Sequence, residues 1–462
     1  MKLARLLPHL LMGALFCMVP GFAWSGEDKG IVDFTLENNL RVVLVPDFRS
    51  PVVVHMVWYP AGAVDEPEGQ GGIAHMLEHM MFKGTDNMPP GEFSKRVAKL
   101  GGQDNAFTSQ DYTAYYQKIS RDNLAQVVDI EADRMANLNI SDEHFQPERD
   151  VILEERSMRV DSQPISLFFE KFNLHHFPSH PYGKPVIGSR QEIENYTLKN
   201  ATDWYHTHYR PENATVVFAG ALAEDEARWL AARYYGDLKN PKKTEAPQTN
   251  ISATPLFEKP KRFEHTDPRT QLPLIVRSYR APSLHAGVAG AQAPSQKEVA
   301  ALVVLADALG GGLTSRLYKT LVMEQKLADS ASASYSPIRR YEASFNLVMQ
   351  PREGISPKKL EQAADKVIET FLQEGITPDA LKRVKMQAKS GDVFARDDLF
   401  EAAYRLGRWL TAGGTIQTYQ DWLESIEAVT TEDVNRMAKQ VLNITQSTTG
   451  ILLPNGKQEA TR

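Results

Sequence analysis

The spacing of apolar and polar side chains in the first half of the chain predicts short strands mixed with amphipathic helices. Strands are predicted at positions 32–36, where apolar and polar residues alternate, and at positions 41–45, 52–58 and 214–219. Apolar residues recur at helical spacing at positions 71–82, 92–100 and 121–137. Because the strands are grouped and do not alternate strictly with helices, the pattern indicates an α+β fold.

The second half of the chain repeats this order of elements. It predicts a strand at positions 272–279, a helix at 297–309, two strands within 332–350, and helices at 357–373 and 378–394. The sequences near the end of each half are also similar. Ile193 and Thr197 precede a helix and a strand, and Ile426 and Thr430 do so 233 residues later. The repeat indicates an ancient duplication that produced two homologous mixed α/β halves.

A polar, proline-containing stretch separates the two halves. Positions 241–255 combine proline, lysine, threonine and asparagine with few large apolar residues, which is typical of a linker. We therefore expect an N-terminal domain at positions 26–240 and a homologous C-terminal domain at positions 256–462. The C-terminal domain contains no candidate metal site in its sequence.

The first 25 residues have the pattern of a secretory signal peptide. Lys2 and Arg5 precede an apolar stretch at positions 10–22, and the small residues Ala23 and Ser25 flank the end of the segment. The alternative, a membrane anchor, is disfavoured because about 13 residues are too few to span roughly 30 Å of hydrocarbon. No later segment is long and apolar enough to span a membrane. We therefore expect a periplasmic protein with no membrane span after signal cleavage.

Composition narrows the class of protein further. The chain has 462 residues, of which 42% are hydrophobic and 24% charged, as in ordinary soluble proteins with sizeable cores. The net charge of −6 argues against a nucleic-acid-binding protein with a basic surface. The single cysteine, Cys17, excludes disulfides and cysteine-based metal sites within the chain. Signal cleavage would remove it, which suits an oxidising compartment.

The strongest chemical signal is the segment His75-Met76-Leu77-Glu78-His79. On a helix, residues four apart share one face, so His75 and His79 can offer two imidazole nitrogens to one cation. Glu78 lies close to the same face and can take a proton from a water held at that cation. This H-x-x-E-H arrangement leaves coordination positions open, which favours a catalytic zinc site over a closed structural site. The alternative is a helix with two solvated or core histidines.

A third ligand is expected from a carboxylate on another helix. Positions 148–155 have a helical pattern in which Glu148 and Glu155 are seven residues apart and fall on one stripe. Glu154 points about 100° away from that stripe. We expect Glu155 to bind the metal and Glu148 to orient a ligating histidine. The alternative is an exposed acidic helix face.

Motifs along the whole chain resemble those of the pitrilysin-type zinc peptidases, which include mitochondrial processing peptidase and insulin-degrading enzyme. The matching segments are the H-x-x-E-H helix, the acidic helix with Glu155 76 residues after His79, Gly71-Gly72, Lys83-Gly84-Thr85, and the stretches 101–108, 180–188 and 310–318. The resemblance covers essentially all of the mature chain.

The resemblance implies a zinc endopeptidase with one Zn2+ per chain that acts on peptides or unfolded segments. Its implied residues are the zinc ligands His75, His79 and Glu155, the general base Glu78, the supporting residue Glu148, and a substrate-receiving edge strand with Asn105, Ala106 and Phe107. A peptide substrate would add to that edge by main-chain hydrogen bonds. The two halves, in a clamshell arrangement with two halves of a partner, would enclose a chamber.

The chain departs from the family pattern in the second half. Active members commonly carry an Arg and a Tyr seven residues apart, but the corresponding positions here are Val322 and Asp329. Valine donates no hydrogen bond, and aspartate would repel a developing oxyanion. Our hypothesis is a zinc-bearing subunit of a heterodimer, in which a homologous zinc-free chain supplies the Arg/Tyr pair, or otherwise a homodimer. The alternative is a non-catalytic peptide-binding or assembly subunit of the same fold.

Overall fold

The computed structural model describes residues 30–240, 251 and 253–454. The expected signal peptide, at positions 1–25, lies outside the described residues, as does most of the expected linker. Among the described residues, no helix is long and apolar enough to cross a membrane.

Within residues 30–240, six strands form one mixed sheet. They are β1 (Val32–Thr35), β2 (Arg41–Pro46), β3 (Val52–Tyr59), β4 (Gln103–Thr108), β5 (Thr113–Ser120) and β6 (Thr215–Gly220). The strand order is β1-β2-β6-β3-β5-β4, with β2 and β6 parallel and the other neighbours antiparallel. Strand β4 therefore lies at one edge, where it pairs with β5 alone.

Eight α-helices accompany this sheet within residues 30–240. They are α1 (Ile73–Met80), α2 (Glu92–Lys99), α3 (Leu124–Ala136), α4 (Asp142–Arg156), α5 (Pro164–His176), α6 (Arg190–Glu194), α7 (Leu198–His208) and α8 (Glu224–Tyr235). A π-helical turn, Ser157–Asp161, extends α4. The apolar faces of α1, α3, α4, α7 and α8 share one core with the sheet.

The C-terminal half contains a second sheet with the same strand order. Its strands are β7 (Lys261–Thr266), β8 (Leu274–Ala281), β9 (Ala328–Tyr335), β10 (Ala343–Pro351) and β11 (Ser447–Leu453). The order β7-β11-β8-β10-β9 reproduces β2-β6-β3-β5-β4, including the parallel first pair. The prediction of an α+β fold with two homologous halves is therefore confirmed.

Seven α-helices lie within residues 253–454. They are α9 (Gln296–Gly310), α10 (Pro357–Glu374), α11 (Pro378–Asp397), α12 (Leu399–Thr411), α13 (Ile416–Gln420), α14 (Trp422–Glu427) and α15 (Thr431–Val441). The repeated sequence at the end of each half has a structural counterpart. Thr197 and Thr430 each form the capping box that begins α7 and α15, respectively.

The two halves are held together by an exchange of helices. Along β3, Val53 and Val57 face the helices of their own half, whereas the alternate residues face α12 of the other half. The contact consists of the buried residues Ala403, Leu406 and Leu410 against Val54, Met56 and Trp58. In return, Phe168 and Phe172 of α5 pack against Val276 and Leu452 of the second sheet. Each sheet thus depends on the other half to bury one of its faces.

We expect the exchanged helix to be sensitive to a single added methyl group. A Cβ at Gly407 of α12 would lie 2.1 Å from Cε2 of Trp58, so the indole or the helix must move. Gly407→Ala should therefore lower the free energy of unfolding by about 1–3 kcal/mol. The matched control is Gly391→Ala on α11, where an added Cβ meets nothing within 4 Å. That control should be neutral or stabilising by up to about 1 kcal/mol. Urea unfolding measures both, and equal stability of the two variants would contradict the contact.

Candidate active site

A tight backbone corner determines where helix α1 begins. Gly72 has φ 94°, and an added Cβ would lie 2.3 Å from the Tyr196 hydroxyl, so only glycine fits. The buried Glu66 carboxylate accepts hydrogen bonds from the backbone N–H groups of Gly72 (2.7 Å) and Ala74 (3.0 Å). Burial raises the pKa of Glu66 to about 8, and the two hydrogen bonds from the helix N-terminus oppose part of that rise. The corner therefore fixes where α1 begins, and with it the direction in which the side chain of His75 projects from the helix.

The same corner is tied to the second helix of the site, α4. The Arg156 guanidinium, at the end of α4, donates a 2.5 Å hydrogen bond to the carbonyl of Gly188. The Glu192 carboxylate accepts a 3.0 Å hydrogen bond from the backbone N–H of Gly71. Arg156 is buried and also pairs with Glu170 at 3.0 Å. The segment 188–192 thereby holds α1 and α4 in a fixed relation.

The structure brings together the three predicted metal ligands. His75 and His79 project from α1, and Glu155 projects from α4. The Glu155 Oε2 lies 3.3 Å from Nε2 of His79 and 3.7 Å from Nε2 of His75. One potential ligand atom from each residue lies within 4.8 Å of the others. All three side chains are half-buried, so the group is open on one side.

The residues fit a zinc ion. Within the described part of the chain, Glu155 Oε2 is buried and has no hydrogen bond of good geometry, although it faces both imidazoles. A buried carboxylate oxygen in that state is costly unless a cation satisfies it. The other oxygen, Oε1, is held by Arg159 at 2.6 Å. Two imidazoles and one carboxylate with an open side match the ligand set of catalytic zinc.

Glu148 lies behind one of the histidines, His79. Its Oε1 is 2.8 Å from Nδ1 of His79, and its Oε2 pairs with the ammonium group of Lys83. A hydrogen bond donated by Nδ1–H leaves Nε2 of His79 free for a metal. Lys83 was visible in the sequence only as part of a motif. Its contact could not be inferred there, because Lys83 follows the end of α1 at a turn.

Glu78 lies on α1 between the histidines and edge strand β4. Its Oε2 accepts a hydrogen bond of 2.5 Å from the hydroxyl of Thr108, the last residue of β4. Burial raises the pKa of the Glu78 carboxyl, and the Thr108 hydrogen bond opposes part of that rise. The general base candidate is thus next to both the metal ligands and the strand.

The three residues expected on the substrate strand all lie on β4. Asn105 is exposed, and its side-chain oxygen accepts a 2.9 Å hydrogen bond from the backbone N–H of Ala106. The ring centroid of Phe107 lies 5.5 Å from that of Trp58 and 5.5 Å from that of Tyr404 of α12. The aromatic contacts anchor one face of β4, and its outer edge pairs with no other strand among the described residues.

Sequence reasoning missed two groups that shape the site. Glu66 lies in the acidic run Asp65-Glu66-Pro67-Glu68, which is also typical of an exposed loop. Arg156 was one of several arginines near the acidic residues of α4, and no spacing rule distinguishes it. Glu66 binds backbone N–H groups six and eight residues later in the chain, and Arg156 binds a carbonyl 32 residues later. Contacts with backbone groups leave no periodic signal in the sequence.

The two imidazoles differ in protonation when no metal is bound. Burial lowers the pKa of His75 to about 4, and the nearby charge of His79 adds to this effect. Burial also acts to lower the pKa of His79. However, the hydrogen bond to Glu148 and the close negative charges of Glu148 and Glu155 outweigh burial and raise that pKa to about 9. At pH 7 in the metal-free chain the His79 imidazole is therefore protonated to the cation and the His75 imidazole is neutral.

Zinc binding at pH 7 should release about one proton per chain, because Nε2 of His79 must be deprotonated to bind the metal. The part of the release that comes from His79 should vanish as the pH rises above the His79 pKa of about 9, where a zinc-bound water with a pKa of about 7 releases a proton of its own. Calorimetry in buffers of different ionisation enthalpy measures the number of protons released. Glu148→Gln should reduce the release at pH 7 and weaken zinc binding by about 10- to 100-fold. An equal proton release at pH 7 from the wild type and Glu148→Gln would contradict this assignment.

Comparison with known proteins agrees with the site and the fold. The family models described as "Insulinase (Peptidase family M16)" and "Peptidase M16 inactive domain" match residues 41–190 and 195–388, respectively. The zinc protease PqqE of Helicobacter pylori is 30% identical over 427 residues, which span 91% of this chain and 92% of that protein. The probable mitochondrial-processing peptidase subunit beta of Arabidopsis thaliana is 32% identical over 192 residues, 42% of this chain and 36% of that protein.

A solved structure supports the same relationship. The crystal structure of a protease from Helicobacter pylori superimposes with a TM-score of 0.85 at 29% identity, covering 92% of this chain and 99% of that one. The resemblance to mitochondrial processing peptidase and its bacterial relatives is thereby confirmed. The chain belongs to the M16 peptidase family, the insulinase or pitrilysin group of zinc peptidases.

Proposed function

We propose that this chain is a zinc endopeptidase that cleaves peptides or unfolded segments bound along strand β4. The proposal rests on one observation: His75, His79 and Glu155 form an open ligand set directly beside Glu78 and the edge of the sheet. Zinc, when bound there, would polarise the scissile carbonyl and lower the pKa of water toward about 7. We expect one Zn2+ per chain.

The proton transfers are assigned to Glu78. Its carboxylate would take a proton from the attacking water and pass it to the departing amine, acting first as base and then as acid. The raised pKa that burial gives Glu78 suits both steps, because the group must hold the proton briefly near neutral pH. Glu148, with Lys83 behind it, would keep His79 oriented throughout.

The peptide would bind as an added strand. Within the described residues β4 lies at the edge of its sheet and pairs with β5 alone. Main-chain groups of Asn105, Ala106 and Phe107 would pair with the substrate, so an extended conformation would matter more than side-chain identity. A folded protein presents few such free segments, which favours peptides and unfolded chains as substrates.

A second chain is proposed to complete the reaction. Val322 is buried in a π-helical turn, Tyr318–Glu324, and Asp329 is paired with Arg352 at 3.2 Å. Neither offers a hydrogen-bond donor for an oxyanion. We infer a heterodimer in which a homologous zinc-free subunit supplies an Arg/Tyr pair, with a homodimer as the alternative. The lack of a donor at Val322 and Asp329 is also compatible with a non-catalytic peptide-binding or assembly subunit. The complete set of zinc ligands favours the enzyme.

We also propose that the chain is secreted and periplasmic. The proposal rests on the signal-peptide pattern at positions 1–25 and on the absence of cysteine after Cys17. The mature protein would then comprise a metal-binding domain at 26–240, a linker at 241–255 and a metal-free domain at 256–462.

Substitution of the general base should separate metal binding from catalysis. Glu78→Gln removes the proton acceptor and should lower cleavage of unstructured peptides by at least about 100-fold, with zinc still bound. The matched control is Glu154→Gln, an exposed neighbour of the ligand Glu155, which should leave both properties unchanged. Mass spectrometry of peptide products and metal analysis of the mature chain give the two readouts. Cleavage that survives in Glu78→Gln would refute the assigned mechanism.

The proposed partner predicts a difference in rate between the isolated chain and the native complex. The complex purified from its source should contain a related chain with an Arg/Tyr pair. That complex should cleave peptides about 100-fold faster than the zinc-loaded chain alone, since the absent donor stabilises an oxyanion. Both preparations are assayed on the same peptide mixture at equal zinc content. Equal rates per zinc would show that no partner is needed.

A further inference from the structure

Thr108 links the edge strand to the general base. It is the last residue of β4 and lies opposite Thr113 of β5 in the sheet register. Its hydroxyl donates to Glu78 Oε2 at 2.5 Å, whereas the Thr113 oxygen is 3.5 Å away. The Thr113 hydroxyl donates to the carbonyl of Ala61 at 2.9 Å and is fully buried. The Thr108 proton is therefore directed to Glu78.

We propose that Thr108 is a positioning residue that determines which oxygen of Glu78 exchanges protons during peptide cleavage; this rests on the function proposed above. The two oxygens of a carboxylate are chemically equivalent, and rotation about the last side-chain torsion of glutamate is only weakly restricted. A short hydrogen bond to Oε2 removes that freedom. Oε1 is then the oxygen that remains available for the proton of the attacking water.

The position of Thr108 also couples the base to the substrate strand. Asn105, Ala106 and Phe107 precede it on β4, and the strand is held by its pairing with β5 and by the packing of Phe107 on Trp58. A peptide paired with β4 would be placed in register by the same strand that orients Glu78. The scissile bond and the base would thus share one rigid frame, which is what precise proton transfer requires.

Three variants test the role of Thr108. Thr108→Val keeps the shape of the side chain but removes the hydroxyl, and should lower kcat by about 10- to 100-fold. KM should stay within about twofold and zinc content should not change, because neither peptide pairing nor the ligands are altered. Thr108→Ser, which keeps the hydroxyl, should restore most of kcat. Thr113→Val removes a hydroxyl one strand away that is not bonded to Glu78, and should leave kcat nearly unchanged.

Some kinetic outcomes would overturn the proposal. Loss of kcat in Thr113→Val equal to that in Thr108→Val would indicate a general packing effect. An effect of Thr108→Val that is fully retained in the Glu78→Gln background would show that Thr108 does not act through Glu78.

Crystal structures of the zinc-free wild type and Thr108→Val provide a readout that is independent of activity. The Glu78 carboxylate should be fixed in one orientation in the wild type. In Thr108→Val it should rotate or occupy two orientations, and an unchanged orientation would overturn the proposal. A wild-type chain that cleaves no peptide, alone or in its native complex, would instead refute the proposed function. The two crystal structures would still decide whether Thr108 orients Glu78.

Discussion

The whole site depends on the fixed relation between helices α1 and α4. His75 and His79 lie on α1, and the carboxylate of Glu155, which faces them, lies on α4. Glu155 comes 76 residues after His79 in the chain. Ligand atoms within 4.8 Å of one another require that neither helix slides or turns. The segment 188–192 provides this constraint, because it hydrogen-bonds to Arg156 at the end of α4 and to Gly71 at the start of α1. The positions of the three ligands therefore depend on this hydrogen-bonded connection between α1 and α4.

The excess of negative charge around the three ligands favours the binding of a cation between them. Glu78, Glu148 and Glu155 bring three carboxylates close together in a half-buried region. Lys83 pairs with Glu148 and Arg159 pairs with Glu155, but Glu155 Oε2 retains no good hydrogen bond within the described residues. In the metal-free chain the proton on His79 supplies part of the missing positive charge. A divalent cation would supply more and would displace that proton.

Much of this could be predicted from the sequence, because periodic patterns report local structure. The spacing of His75, His79, Glu148 and Glu155 predicted which side chains share a helix face, and in the structure these side chains face one another. The helix predicted at 71–82 spans Ile73–Met80 in the structure, and it begins later than predicted because Gly72 adopts a left-handed conformation. The helix exchange could not be predicted, since an amphipathic pattern in α5 or α12 does not say which sheet it covers. Contacts such as Thr108 with Glu78 depend on strand register and on packing between distant segments.

The most direct test of the account is the location of the metal. Crystals of the mature chain grown with zinc, measured at the zinc absorption edge, should show one anomalous peak per chain bounded by His75, His79 and Glu155. Crystals of Glu155→Gln grown under the same conditions should show a weak peak or none, because one charged ligand is lost. A peak at another place in the chain, or a full peak in the variant, would contradict the assignment of the site.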